Sequence, residues 1–79
     1  MHSRNILYPT PDDEGGLAWI EYQSNGIYLF HHRLCDGTDL SFSLPFGEEI
    51  HSLAWDNLTR AHYCIITSDK GMHIAKIDQ

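Results

Sequence analysis

The chain has 79 residues, 42% apolar and 20% charged, with eleven acids against five bases and a net charge of −6. That length holds one small domain, 1–79, and no stretch approaches the ~18 consecutive apolar residues of a membrane-spanning helix. So acidic a chain repels a phosphate backbone, which disfavours direct nucleic-acid binding.

The first nine residues, through Pro9, hold no apolar run of signal-peptide length. Two distant thiols, Cys35 and Cys64, do not make a disulfide framework. The expectation is a cytoplasmic protein with reduced cysteines.

In chain order, Ile6, Leu7 and Tyr8 suit a short edge strand. Residues 9–16 read as a loop: Pro9 and Pro11 break a helix, Asp12, Asp13 and Glu14 repel one another, and Gly15 and Gly16 loosen the chain. Asn25-Gly26 then separates Leu17–Tyr22 from 27–34, and Asp36-Gly37 separates 27–34 from 40–46. Both dipeptides favour type I′ reversals, which need positive φ at two successive residues. The three segments are expected as an antiparallel meander.

Two-residue loops set the register by counting. Ile20 then faces His31, Tyr22 faces Leu29 and Trp19 faces His32; in the second hairpin His31 faces Phe42, Leu29 faces Leu44 and His32 faces Ser41. Side chains alternate between the two faces. One face collects Ala18, Ile20, Tyr22, Ile27, Leu29, His31, Leu40, Phe42 and Leu44, and is the expected core. His31 is accordingly expected to be buried and neutral. The other face collects Leu17, Trp19, Glu21, Tyr28, Phe30, His32, Leu34, Ser41 and Ser43.

Residues 48–61 are expected to be helical. At about 100° per residue, Ile50, Leu53, Ala54, Leu58 and Ala61 fall within about 140° of arc. Glu48 and Glu49 suit the first turn and Arg60 the last. As a strand, 50–55 alternates poorly, because Ser52 shares a face with Ile50 and Ala54. A final hairpin follows: a β-rich run over 62–68, a turn at Asp69-Lys70-Gly71, and a return over 72–77. The expected fold is α+β: a β-β-β-α-β-β antiparallel sheet with one helix on its apolar face and the other face open.

Leu-Ala-Trp occurs twice, at 17–19 and 53–55. Ile50-His51-Ser52-Leu53-Ala54-Trp55-Asp56, followed by Tyr63-Cys64-Ile65-Ile66-Thr67-Ser68-Asp69-Lys70-Gly71, is similar to a blade of a WD40-type β-propeller. The chain lacks a Gly-His before the first strand and a Trp-Asp ending the third. The resemblance implies a repeat unit that assembles with copies of itself or with a larger chain.

Groups that carry chemistry are sparse. His62 and Cys64 would share a strand face, and with His73 or Cys35 they outline a zinc site or a thiol enzyme, but the spacing of zinc knuckles and ribbons is missing. Gly-x-Ser-x-Gly, phosphate loops and dinucleotide fingerprints are absent, so neither catalysis nor a cofactor is expected. The binding candidates are Trp19, Glu21, Tyr28, Phe30 and His32 on the open face, since large amphipathic rings dominate binding hot spots. Asp12, Asp13, Glu14, Asp36, Asp39, Glu48, Glu49 and Asp56 form a candidate acidic surface that would steer the chain onto a basic partner, a nucleic-acid-binding protein included.

The leading reading is a non-enzymatic protein that occupies a partner protein's surface, as an inhibitor or adaptor. In size and charge it resembles, as a class, the small inhibitors encoded by phages and mobile elements, such as anti-CRISPR proteins. A homodimer, the propeller-type unit and a metal-binding or thiol enzyme stand as alternatives.

Overall fold

The computed structural model describes residues 5–23, 26–44 and 49–77. They form seven strands: β1 (Asn5–Pro11), β2 (Leu17–Tyr22), β3 (Tyr28–Arg33), β4 (Asp39–Ser43), β5 (Glu49–Asp56), β6 (Ala61–Ser68) and β7 (Gly71–Ile77). Sheet A runs in the order β1-β2-β3-β4 and sheet B in the order β5-β6-β7, antiparallel throughout. No helix lies among the described residues, so none is long and apolar enough to cross a membrane. The protein is all-β, which overturns the α+β expectation.

The expected helix is β5, a turn and the start of β6. A bulge explains the misreading. The β5–β6 register shifts between Ile50 and Ser52, leaving His51 as the extra residue. That shift changes the parity of the alternation. Ile50 points inward before the bulge, and Leu53 and Trp55 point inward after it. Over six residues this spacing imitates a helical stripe. The turn that follows is held by Asp56, whose carboxylate accepts from Leu58 N–H at 3.2 Å and from the Thr59 hydroxyl at 2.8 Å.

Both expected reversals occur, with three-residue loops in place of two. Gln23 N–H donates to Ile27 O at 2.8 Å, and Leu34 N–H donates to Thr38 O at 2.8 Å. Gly26 and Gly37 take φ of +85° and +91°. Asp36 is not among the residues with positive φ, so its turn is not type I′ but has the type I geometry closed by a left-handed glycine. Each loop gains one residue, and each register slips by one. Trp19 pairs with His31 and Ile20 with Phe30, while Phe30 pairs with Phe42 and His32 with Leu40. The middle strand is therefore turned over: Tyr28, Phe30 and His32 face inward, and Leu29 and His31 face outward. A second slip restores β4, so Leu40 and Phe42 face inward as expected.

Residues 9–16 are not all loop, because β1 runs through Pro11. Prolines are tolerated at a sheet edge, where no N–H is required. The β1–β2 register shifts between Leu7 and Thr10, and Tyr8 takes φ of 54° there.

The inner faces meet in one core: Ala18, Ile20, Phe30 and Leu44 from sheet A, with Ile50, Leu53, Cys64, Ile66 and Ile77 from sheet B. The sheets approach most closely along β1 and β5. There the Tyr8 hydroxyl donates to Ile50 O at 3.0 Å, and the Thr10 hydroxyl, which donates to Tyr8 O at 2.8 Å, lies 3.3 Å from Leu53 O. The molecule is a plate of 38 × 38 × 17 Å, its thin direction close to the length of a five-residue strand at ~3.3 Å per residue.

Candidate functional site

The outer face of sheet A carries the best-defined surface constellation. Trp19 on β2 lies directly across from His31 on β3, and the rings stack at 5.1 Å with 12° between their planes. The Arg33 guanidinium lies 5.9 Å from the Trp19 ring centroid. Glu21, one pleat along β2, approaches His31 Nε2 to 2.8 Å. Arg33 Nε donates to Asp39 at 2.7 Å, and this hydrogen bond, followed by the Coulombic attraction, lowers the Asp39 pKa. Trp19 is half-buried, and Leu17 beside it is 40% exposed. The Trp–His–Arg stack is a flat, stiff platform with charged flanks, able to bury another surface at little cost in conformational entropy.

Of the five expected binding residues, the structure keeps Trp19 and Glu21 on this face. Phe30 and His32 are instead core residues, at 0% and 7% exposure, and Tyr28 packs against the core from the same side. His31, expected in the core, takes their place outside. The sequence signal that could have found His31 is the cross-strand relation to Trp19, which a three-residue loop at Asn25-Gly26 produces.

A second constellation lies between the sheets. The His32 Nε2 contact with the Asp12 carboxylate is 2.7 Å. Asp12 Oδ1 also accepts from Glu14 N–H at 2.8 Å and from Gly16 N–H at 2.7 Å. Burial opposes the Asp12 charge, but the bonds from His32 and Gly16 outweigh it, so its pKa lies below the ordinary 3.8. An ionised carboxylate only accepts, so His32 Nε2 is the donor in this contact. His62 meets His32 edge-on at 4.8 Å and also packs on Trp55 at 4.7 Å and on Phe30 at 5.1 Å. Burial, and then repulsion from His32, push the His62 pKa down to about 4, against a smaller opposing pull from Asp12. A cleft of about 410 Å³ opens beside these rings, lined also by Leu34, Leu40 and Lys76.

Cys64 lies on the same inner face as His62. It is unbridged and buried, and burial pushes its thiol up to about 11. Cys35 is unbridged and exposed. Among the described residues no group of three or more His, Cys, Asp or Glu side chains could hold a metal ion.

Most of the acidic residues have local partners. Asp12 holds the β1–β2 turn, and Asp36 accepts from Thr38 N–H at 2.9 Å in the β3–β4 turn. Asp13 accepts from Trp55 Nε1 at 3.0 Å, and Arg60 pairs with Glu14. Asp39 pairs with Arg33, Asp56 holds the β5–β6 turn, and Glu49 lies 3.6 Å from His51. Glu48 lies outside the described residues. Comparison with protein-family models, with curated proteins and with solved structures finds no match.

Proposed function

We propose that this chain is a non-enzymatic protein-interaction module that engages its partner through the outer face of sheet A. The observation that carries this reading is the Trp19–His31 stack, flanked by Arg33 and Glu21, on a face whose neighbours Ile6 and Leu17 are 54% and 40% exposed. Tryptophan and arginine supply a disproportionate share of binding energy where they can be desolvated together. Supporting a non-catalytic role, the Cys64 thiol is protonated and buried, the reverse of an activated nucleophile. Asp12, the carboxylate nearest the paired imidazoles, is engaged in holding a turn. Most acidic side chains serve turns or local pairs, which makes net charge a secondary contributor to partner choice.

Affinity capture from the native host, comparing wild type with Trp19→Ala, tests the reading. The variant should remain folded and lose at least about tenfold in affinity for the captured partner. Equal capture by both proteins would refute it.

A further inference from the structure

The face that sheet A turns outward repeats what sheet B turns inward. Leu17-Ala18-Trp19 and Leu53-Ala54-Trp55 are the same tripeptide. In sheet A the leucine and tryptophan face out and Ala18 faces in; in sheet B Leu53 and Trp55 face in and Ala54 faces out. Each tryptophan has a histidine directly across the hairpin, Trp19 with His31 and Trp55 with His62. The ring centroids of these pairs are 5.1 Å and 4.7 Å apart. Each also has an arginine 5.9 Å from its ring centroid, Arg33 and Arg60.

The copy in sheet B already has an occupant. Trp55 and His62 receive the inner face of sheet A, with Phe30 5.1 Å from His62 and His32 6.4 Å from Trp55. The copy in sheet A has no such occupant among the described residues. A surface suited to it exists on the same chain, on the far side of sheet B. There Ala54 stands outward as Ala18 stands inward, beside the cross-strand pair Ile65 and Ile74. Ile74 is 70% exposed and Met72 is 67% exposed.

We infer that the outer face of sheet A in one copy seats on the outer face of sheet B in a second copy, repeating between chains the contact that the two sheets make within one. This rests on the reading of the sheet A face as an interaction surface, and names a second copy as its occupant. The contact joins unlike faces, so it is head-to-tail, and it closes into a ring if the rotation permits. At two sheets per copy, rings of about four to eight sheets need about two to four copies. The net charge of −6 opposes self-association, but the carboxylates on these faces have neighbours of their own: Glu21 with His31, Asp39 with Arg33, Glu49 with His51 and Asp56 with Thr59.

Sedimentation velocity on three proteins and one mixture tests this. Wild type is expected to run above its monomer mass of 9.1 kDa at concentrations from about 10 to about 500 μM. Trp19→Glu damages only the sheet A face and Ile74→Glu only the sheet B face, so each alone is expected to run as a monomer. Mixed in equal amounts, they retain one intact pair of faces and should form a 1:1 dimer and nothing larger. Three outcomes overturn the inference: a monomeric wild type throughout, either variant assembling as wild type does, or a mixture that stays monomeric. Leu17→Glu and Met72→Glu replace either variant whose circular dichroism shows loss of the sheet. A monomeric wild type that still captures a host protein through Trp19 would overturn the inference and leave the interaction reading standing. Trp19-independent capture would remove that reading itself.

Discussion

Acidification should destabilise this protein well above the range where its carboxylates titrate, and His62 is the cause. An unfolded chain holds this imidazole at its ordinary 6.5, while the fold depresses it to about 4. The folded state therefore refuses a proton that the unfolded state accepts. Stability from this group is complete above pH 6.5 and is lost as pH falls towards the folded value. Integrating over that window removes about 2 kcal/mol by pH 5 and about 3 kcal/mol by pH 4. A domain of 79 residues holds only about 4–12 kcal/mol in total. The melting temperature should drop by about 8–16 °C between pH 7 and pH 5. The lowered Asp12 pKa places that group's contribution at the acid end, below the ordinary 3.8, so the two effects separate. The assay is urea unfolding followed by tryptophan fluorescence at half-unit pH steps, at a dilution where the protein sediments as a monomer. His62→Leu is the control, a side chain that cannot titrate among Phe30 and Trp55. Its stability profile should lose up to about 1.4 kcal/mol of slope per pH unit between pH 6.5 and pH 4.5. A wild type as stable at pH 5 as at pH 7, or a His62→Leu profile with the wild-type slope, would refute the argument.

Further tests separate core from surface. Phe30→Ala empties a fully buried site between Ile20, Phe42 and His62 and should cost about 3–5 kcal/mol. Trp19→Ala forfeits one exposed-side stack and should cost about 1 kcal/mol by the same denaturation assay. A methyl added at Gly16 would lie 2.6 Å from the Arg33 carbonyl oxygen and 2.5 Å from the Asp12 carboxylate, so Gly16→Ala is expected to cost more than about 2 kcal/mol. In titration with an aromatic disulfide at pH 8, Cys35 should react at once, while buried Cys64 should react only after denaturant is added. Immediate reaction of both thiols would contradict the packing of β6 against sheet A.

What was legible in the chain follows from how local each signal is. Positive φ at Gly26 and Gly37 is a property of one residue, and both reversals fall where Asn-Gly and Asp-Gly stand. Loop length is not local to the dipeptide, because the glycine serves either as the second residue of a type I′ turn or as the left-handed residue closing a three-residue loop. One residue of slip turns a strand over, so β3 was misassigned while β2 was not. The second slip cancelled the first at β4. The final hairpin falls where it was expected, but its turn is only Asp69-Lys70: Gly71, expected in the turn, is the first residue of β7 and pairs with Ser68.

The same parity argument governs the candidate site. Reading β3 upside down put Phe30 and His32 beside Trp19 and hid His31, although His31 is the residue that stacks on it. Reading β5 as a helix removed Trp55 from any cross-strand relation and hid its pairing with His62. Each error alone conceals one Trp–His pair, and the repeat shows only when both are undone. The equivalence of the two tripeptides therefore resides in facing rather than in sequence spacing. A bulge at His51 and a third loop residue near Gly26 are what bring Trp19 and Trp55 to corresponding faces of successive sheets, one of them covered by sheet A and the other on its outer face.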